Sequence, residues 1–213
     1  MPRVRYTFFA LMLSMLSLSN AWAISSTSIF LKQQPIDGDT LGVDQFWQQL
    51  KQHCGKTYEG TITSGATAND GFSGKRLVMH VLSCADGQLL IPFNVGDNRS
   101  RTWVLTKVKD RIELKHDHRH EDGTNDAVTM YGGTTTNTGL PGIAVFPADQ
   151  LTVKKIPAAA TNVWWITIND TTFSYNLRRI GSDRLFTVTF DITKPVEKPL
   201  PSWGWENFKH STF

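Results

Sequence analysis

The chain lacks a basic run of the kind that grips a phosphate backbone. Its 213 residues balance to a formal charge of +3, and Arg3 and Arg5 supply two of those charges from a segment expected to be removed. The remainder, about +1, excludes nucleic acid as the natural partner. Long hydrophobic runs are missing too. The one apolar stretch, 8–18, falls well short of the ~20 residues that cross a bilayer. Ile24, not cysteine, directly follows the expected cleavage site, so a lipid-anchored form is not expected. No G-x-S-x-G elbow is present, so that hydrolase nucleophile is absent. There is no internal repeat, and no low-complexity segment beyond a Thr-rich loop at 132–142 (GGTTTNTGLPG). Cysteine is scarce, with Cys54 and Cys84 alone.

What is present points first to export. Arg3 and Arg5 form a positive start, 8–18 is the apolar centre, and Ala21-Trp22-Ala23 is an A-x-A cleavage site. Residues 1–23 therefore read as a signal peptide, with the mature chain starting near Ile24 in the periplasm or outside the cell. No membrane span is expected after cleavage. In an oxidising compartment the isolated pair Cys54 and Cys84 is expected to form a disulfide. Apolar residues at 40% and charged residues at 19% are a globular composition. The length suits one domain, 24–194, followed by a Pro/Trp-rich tail at 195–213 that packs its aromatics on the body.

Residues 44–53 (DQFWQQLKQH) carry Phe46, Trp47 and Leu50 at helical spacing, with Asp44 as N-cap and Gly55 after the end. Beyond that the pattern turns to alternation. Strands are expected at 57–63, 75–84, 88–95, 101–108, 111–116 and 126–131, then, after a short run at 150–155, at 163–168, 173–180 and 184–192. Pro92 marks a bulge or an edge position. Gly132-Gly133 lies in the Thr-rich loop and offers a close backbone approach to a ligand. Adjacent Trp164 and Trp165 must face opposite sides. Nine or ten closely spaced strands with hairpin connections make this a mainly β protein. An antiparallel β-barrel with one short N-terminal helix is the first choice and a sandwich the second.

The chemistry gathers in one stretch. Three of the six histidines, His116, His118 and His120, fall at alternate positions and share a face if the strand runs on to 120. Asp117 and Arg119 then face the other way. His116 and His118, with His120 or Asp122, make a candidate metal set for zinc or another divalent ion. His116 or His118 is also a candidate general base, though no partner nucleophile stands out. Alternatively the string is a solvated, ion-paired strand end. Arginine presents a planar fork suited to carboxylate or phosphate, which singles out Arg101 and Arg179 if they face inward.

Leu50…Gly55…Tyr58…Gly60, after a short helix and before a run of antiparallel strands, resembles the entry to the calycin folds, lipocalins among them. Ser100-Arg101-Thr102-Trp103, the 116–123 segment and Tyr131-Gly132-Gly133 are similar to an uncharacterised group of exported bacterial proteins. The calycin resemblance implies a cavity for a small apolar ligand. Three functions stay open. The first is a small-molecule-binding barrel whose mouth uses Arg101, Trp103, His116, His118, Arg119, His120, Tyr131 and Arg179. The second is a metal-dependent enzyme built on His116, His118, His120 and Asp122. The third is a structural module of the envelope. No feature sets the oligomeric state.

Overall fold

The computed structural model describes residues 41–208, apart from 66, 68–70 and 86. The expected signal peptide lies outside the described residues. The described chain opens with a helix, α1 (Gly42–Lys51), then runs through β1 (Thr57–Ser64), β2 (Leu77–His80), β3 (Gln88–Val95), β4 (Asn98–Val108), β5 (Arg111–His118) and β6 (Tyr131–Thr134). After β7 (Ile143–Pro147) come a one-turn helix, α2 (Gln150–Lys155), and a 3-10 turn, Pro157–Ala159. The last strands are β8 (Asn162–Ile168), β9 (Thr172–Arg179) and β10 (Leu185–Asp191).

All ten strands belong to one antiparallel sheet, in the order β6-β5-β4-β3-β2-β1-β10-β9-β8-β7. Each strand pairs with its neighbour in sequence except at β6 and β7, the two ends of the sheet, and β1 pairs with β10. The sheet thus curls into a nearly closed up-and-down barrel, with its seam between β6 and β7. The seam depends on glycine. A side chain at Gly133 would collide with the Pro147 carbonyl, and Asp149 N–H donates to Gly132 O at 3.0 Å. The close approach made by Gly132-Gly133 is therefore between two strand edges, within β6 rather than in a loop. Thr152 locks the junction, donating to Gly132 O at 2.7 Å and accepting from Gly132 N–H at 2.6 Å.

Period-two alternation fills the interior. Ile112 and Leu114 of β5 are fully buried, and on β8 Trp164 is buried while Trp165 is part-exposed, as their adjacency demands. β3 is buried on both faces because the tail covers its outside. Trp205 and Phe208 pack on Leu82, Leu90 and Val104, Trp203 N–H donates to Arg99 O at 3.1 Å, and Ser202 Oγ donates to Asn94 Oδ1 at 3.0 Å. The Cys54–Cys84 disulfide is formed.

Several elements differ from their sequence pattern. Leu41, not Asp44, precedes the first helical turn, and Asp44 instead pairs with Lys107 of β4. The 75–84 run is a strand only at Leu77–His80. Beyond it Val81 turns to β1's approach, donating to Lys56 O at 3.0 Å and accepting from Gly55 N–H at 2.8 Å. Pro92 sits in a central strand at a bulge: the Met79–Phe93 pair and the Ser83–Leu90 bridge on either side differ by one residue in register. Residues 126–130 are not strand; Met130 takes a positive φ, and pairing starts at Tyr131. Gln150–Lys155 is helix, because the Asp149 carboxylate accepts from Thr152 N–H at 2.8 Å and caps it.

Candidate ligand-binding site

The two ends of the barrel are finished differently. At one, α1 buries Val43, Phe46, Trp47 and Leu50 across the opening, and Gln49 Nε2 donates to Pro141 O at 2.8 Å. At the other, among the described residues, a cavity of about 730 Å³ opens between the strand ends. That volume lies in the ~300–1,000 Å³ range of small-molecule sites.

Strand register builds the cavity wall. Arg101 and Trp103 of β4 stand opposite His118 and His116 of β5, and Tyr131 of β6 stands opposite His116. All five line the cavity. Trp103 stacks between Phe93 at 4.8 Å and Tyr175 at 4.4 Å, and His116 stacks on Tyr131 at 4.7 Å. Phe72, Trp164 and Phe186 complete an aromatic lining.

The polar groups on this wall are tied to each other. His116 Nδ1–H donates to the Tyr131 carbonyl at 3.0 Å, which fixes the tautomer, and its Nε2 accepts from the Tyr175 hydroxyl at 2.6 Å. Burial pushes the His116 pKa down to about 3, outweighing the carbonyl bond that raises it. His118 is pushed down to about 4, first by burial and then by the Arg101 charge; its Nε2 shares a hydrogen bond with the Tyr131 hydroxyl at 3.1 Å. Burial also pushes Tyr131 up to about 12 and Tyr175 well above the ordinary phenol value. At neutral pH all four groups are therefore uncharged. Arg101 donates to Asn98 Oδ1 at 2.9 Å and lies over the Phe72 ring at 5.4 Å. Arg179 donates to Asn162 Oδ1 at 2.9 Å, and Arg184 stands exposed on the rim. Neutral imidazoles, protonated phenols and guanidiniums are equipped to hold and orient a molecule.

Two of the expected ligand-binding residues do not reach the cavity. β5 ends at His118 and the chain folds back through an Arg119–Asn125 bridge, so His120 is exposed instead of continuing the His116–His118 face. Arg119 points outward, where it pairs with buried Asp117, lies over the Trp205 ring at 4.6 Å and donates to Gly204 O at 3.2 Å. Arg119 thus anchors the tail. The metal set His116, His118, His120 and Asp122 is not gathered: both ring nitrogens of His116 are engaged, and Asp122 Oδ1 accepts from Thr124 N–H at 2.9 Å and Thr124 Oγ1 at 2.6 Å. Among the described residues no group of three His, Cys, Asp or Glu lies close enough to hold an ion. Sequence reasoning passed over Tyr175, Phe186 and Arg184 as site residues. Tyr175 and Phe186 occupy inward-alternating positions, a signal shared with every core residue, whereas Phe72 sits in a loop with no periodic signal.

No family model, curated protein or solved structure matches the chain. The calycin-like likeness therefore stands on architecture: a nearly closed antiparallel barrel, plugged at one end by a helix and open at the other.

Proposed function

We propose that this chain is an exported binding protein that carries a small molecule in the open end of a calycin-like barrel. The observation that supports it best is the aromatic-lined cavity of about 730 Å³ at the end that α1 leaves uncovered. A protein whose interior served packing alone would fill that volume, since cores pack at crystal-like density. Export is supported by the signal-like residues 1–23, by the Cys54–Cys84 disulfide, and by the lack, among the described residues, of a helix long and apolar enough to cross a membrane. A metal-dependent enzyme has less support, because His116 would have to surrender a hydrogen bond to ligate.

Titration with the neutral fluorophore N-phenyl-1-naphthylamine tests the cup. Saturable binding of one dye per chain, with energy transfer from the Trp103 and Trp164 indoles, is the expected result. Emission that rises without saturating counts against an enclosed site. Export is tested separately: N-terminal sequencing of protein from the periplasmic or culture fraction should start near Ile24.

A further inference from the structure

We propose that the cavity is an organic-anion site, taking a flat aromatic molecule whose oxyanion head (carboxylate, sulfonate or phosphate) is held by Arg101, Arg179 and Arg184. This rests on the reading of the barrel as a binding cup and adds the chemistry of its occupant.

Charge is the first argument. Among the described residues, three guanidiniums line the cavity against a single carboxylate, Asp183. Among the described residues none of these four makes an ion pair. Elsewhere the chain does pair its part-buried cations with carboxylates: Lys107 with Asp44, Lys115 with Asp149, Arg119 with Asp117. In the cavity the partners are amides instead. Asn98 Oδ1 orients Arg101 and Asn162 Oδ1 orients Arg179, fixing each fork without neutralising it. A positive charge withdrawn from water with only neutral partners is unfavourable until an anion joins it. Burial accordingly weakens the hold of Arg101 on its proton.

Convergence is the second argument. Arg101, Arg184 and Tyr131 line the same cavity, and both guanidiniums act electrostatically on the Tyr131 hydroxyl, with Asp126 acting in the opposite sense. The neighbouring His118 is neutral at pH 7, so the positive charge on this wall rests on the guanidiniums. Lys154 and Lys155 are exposed in the last turn of α2, immediately before Ile156, which lines the cavity. The aromatic walls then select shape, because ring-on-ring contact favours planar ligands.

A matched pair of dyes separates this inference from the reading beneath it. 1-Anilinonaphthalene-8-sulfonate and N-phenyl-1-naphthylamine share one ring system and differ by the sulfonate. The expected result is that the sulfonate dye binds at least about tenfold tighter in low salt, the scale of one charge-assisted contact. R101Q and R184Q should each reduce that advantage, read as the ratio of the two dye affinities, and a cooperative urea transition shows that the variants are folded. Equal affinity for both dyes, or an advantage that survives R101Q/R179Q/R184Q, overturns the anion assignment and leaves the cup standing. Failure of both dyes to saturate removes the cup itself. Displacement by 2-naphthoate, 2-naphthyl phosphate or 2-naphthalenesulfonate distinguishes a carboxylate, a phosphate and a sulfonate head, and displacement by none of the three overturns the assignment.

Discussion

The closed and open ends of the barrel face the same problem and solve it oppositely. At the closed end α1 supplies apolar side chains: Phe46 is 0% exposed and Leu50 2%, with the disulfide at Cys54 and the Lys107–Asp44 pair holding the helix in place. At the open end the inward positions carry Arg101, His118 and Arg179, and volume is left over. The contrast teaches where stability and function sit. Groups that hold the fold are packed and paired; groups near the cavity are oriented by neutral neighbours and left with unspent charge.

The largest effect should come from opening the plug. F46A removes a fully buried ring whose surroundings are fixed by strands, and a loss of about 3–5 kcal/mol is expected. Urea denaturation monitored by tryptophan fluorescence measures it. A loss below about 1 kcal/mol, the average for any substitution, would mean that α1 is no plug. Next comes C54S/C84S, which releases a constraint spanning 30 residues and should cost about 3–4 kcal/mol in the chain-entropy account. Both changes should leave dye affinity at the open end nearly intact under folding conditions. If they abolish it, the two ends are coupled and the comparison fails.

Acid should act on the open end more than on the closed one. His116 and His118 have folded pKa values near 3 and 4, below the unfolded value of 6.5. Between those limits the unfolded chain binds more protons than the folded one. Their contribution is therefore complete above pH 6.5 and is lost as pH falls, by up to about 1.4 kcal/mol per pH unit for each histidine. His53, also shifted down mainly by burial, adds in the same direction at the closed end. The depressed carboxylates, such as Asp149 and Asp191, start from 3.8 and act below this window. Stability measured from pH 6.5 to 4.5 should fall steeply in the native sequence and more gently in H118Q. A flat profile would show that these imidazoles are open to water.

Much of the fold was legible because alternation reports burial directly. The runs at 88–95, 163–168 and 173–180 match β3, β8 and β9 closely. What escaped the pattern was decided by partners distant in sequence. Gly132 and Gly133 look like loop residues until β7 lies against them. Residues 150–155 look like a short strand until the Asp149 cap and the Thr152 bond to Gly132 select a helical turn. At the site, Arg101, Trp103, His116, His118, Tyr131 and Arg179 reach the cavity as their inward parity required. His120 does not, because parity holds only while the strand lasts. Nothing in the spacing of His116, His118 and His120 shows that the chain folds back after His118.

The smallest effect on stability should come from the open end's arginines, and it is the sharpest test of the comparison. Arg101 makes one hydrogen bond to a neutral acceptor and no ion pair among the described residues, and its charge is partly withdrawn from water. R101Q keeps a donor for Asn98 and removes the uncompensated cation. The two terms oppose each other, so the change in unfolding free energy should stay within about ±0.5 kcal/mol. Urea midpoints of R101Q and F46A, taken under the same conditions, give the comparison directly. A neutral or slightly stabilising R101Q beside a crippled F46A fits an end of the barrel kept open for a ligand at no benefit to the fold. An R101Q loss as large as that of F46A would make Arg101 a structural residue and would remove it from the proposed anion site, leaving the cavity itself standing.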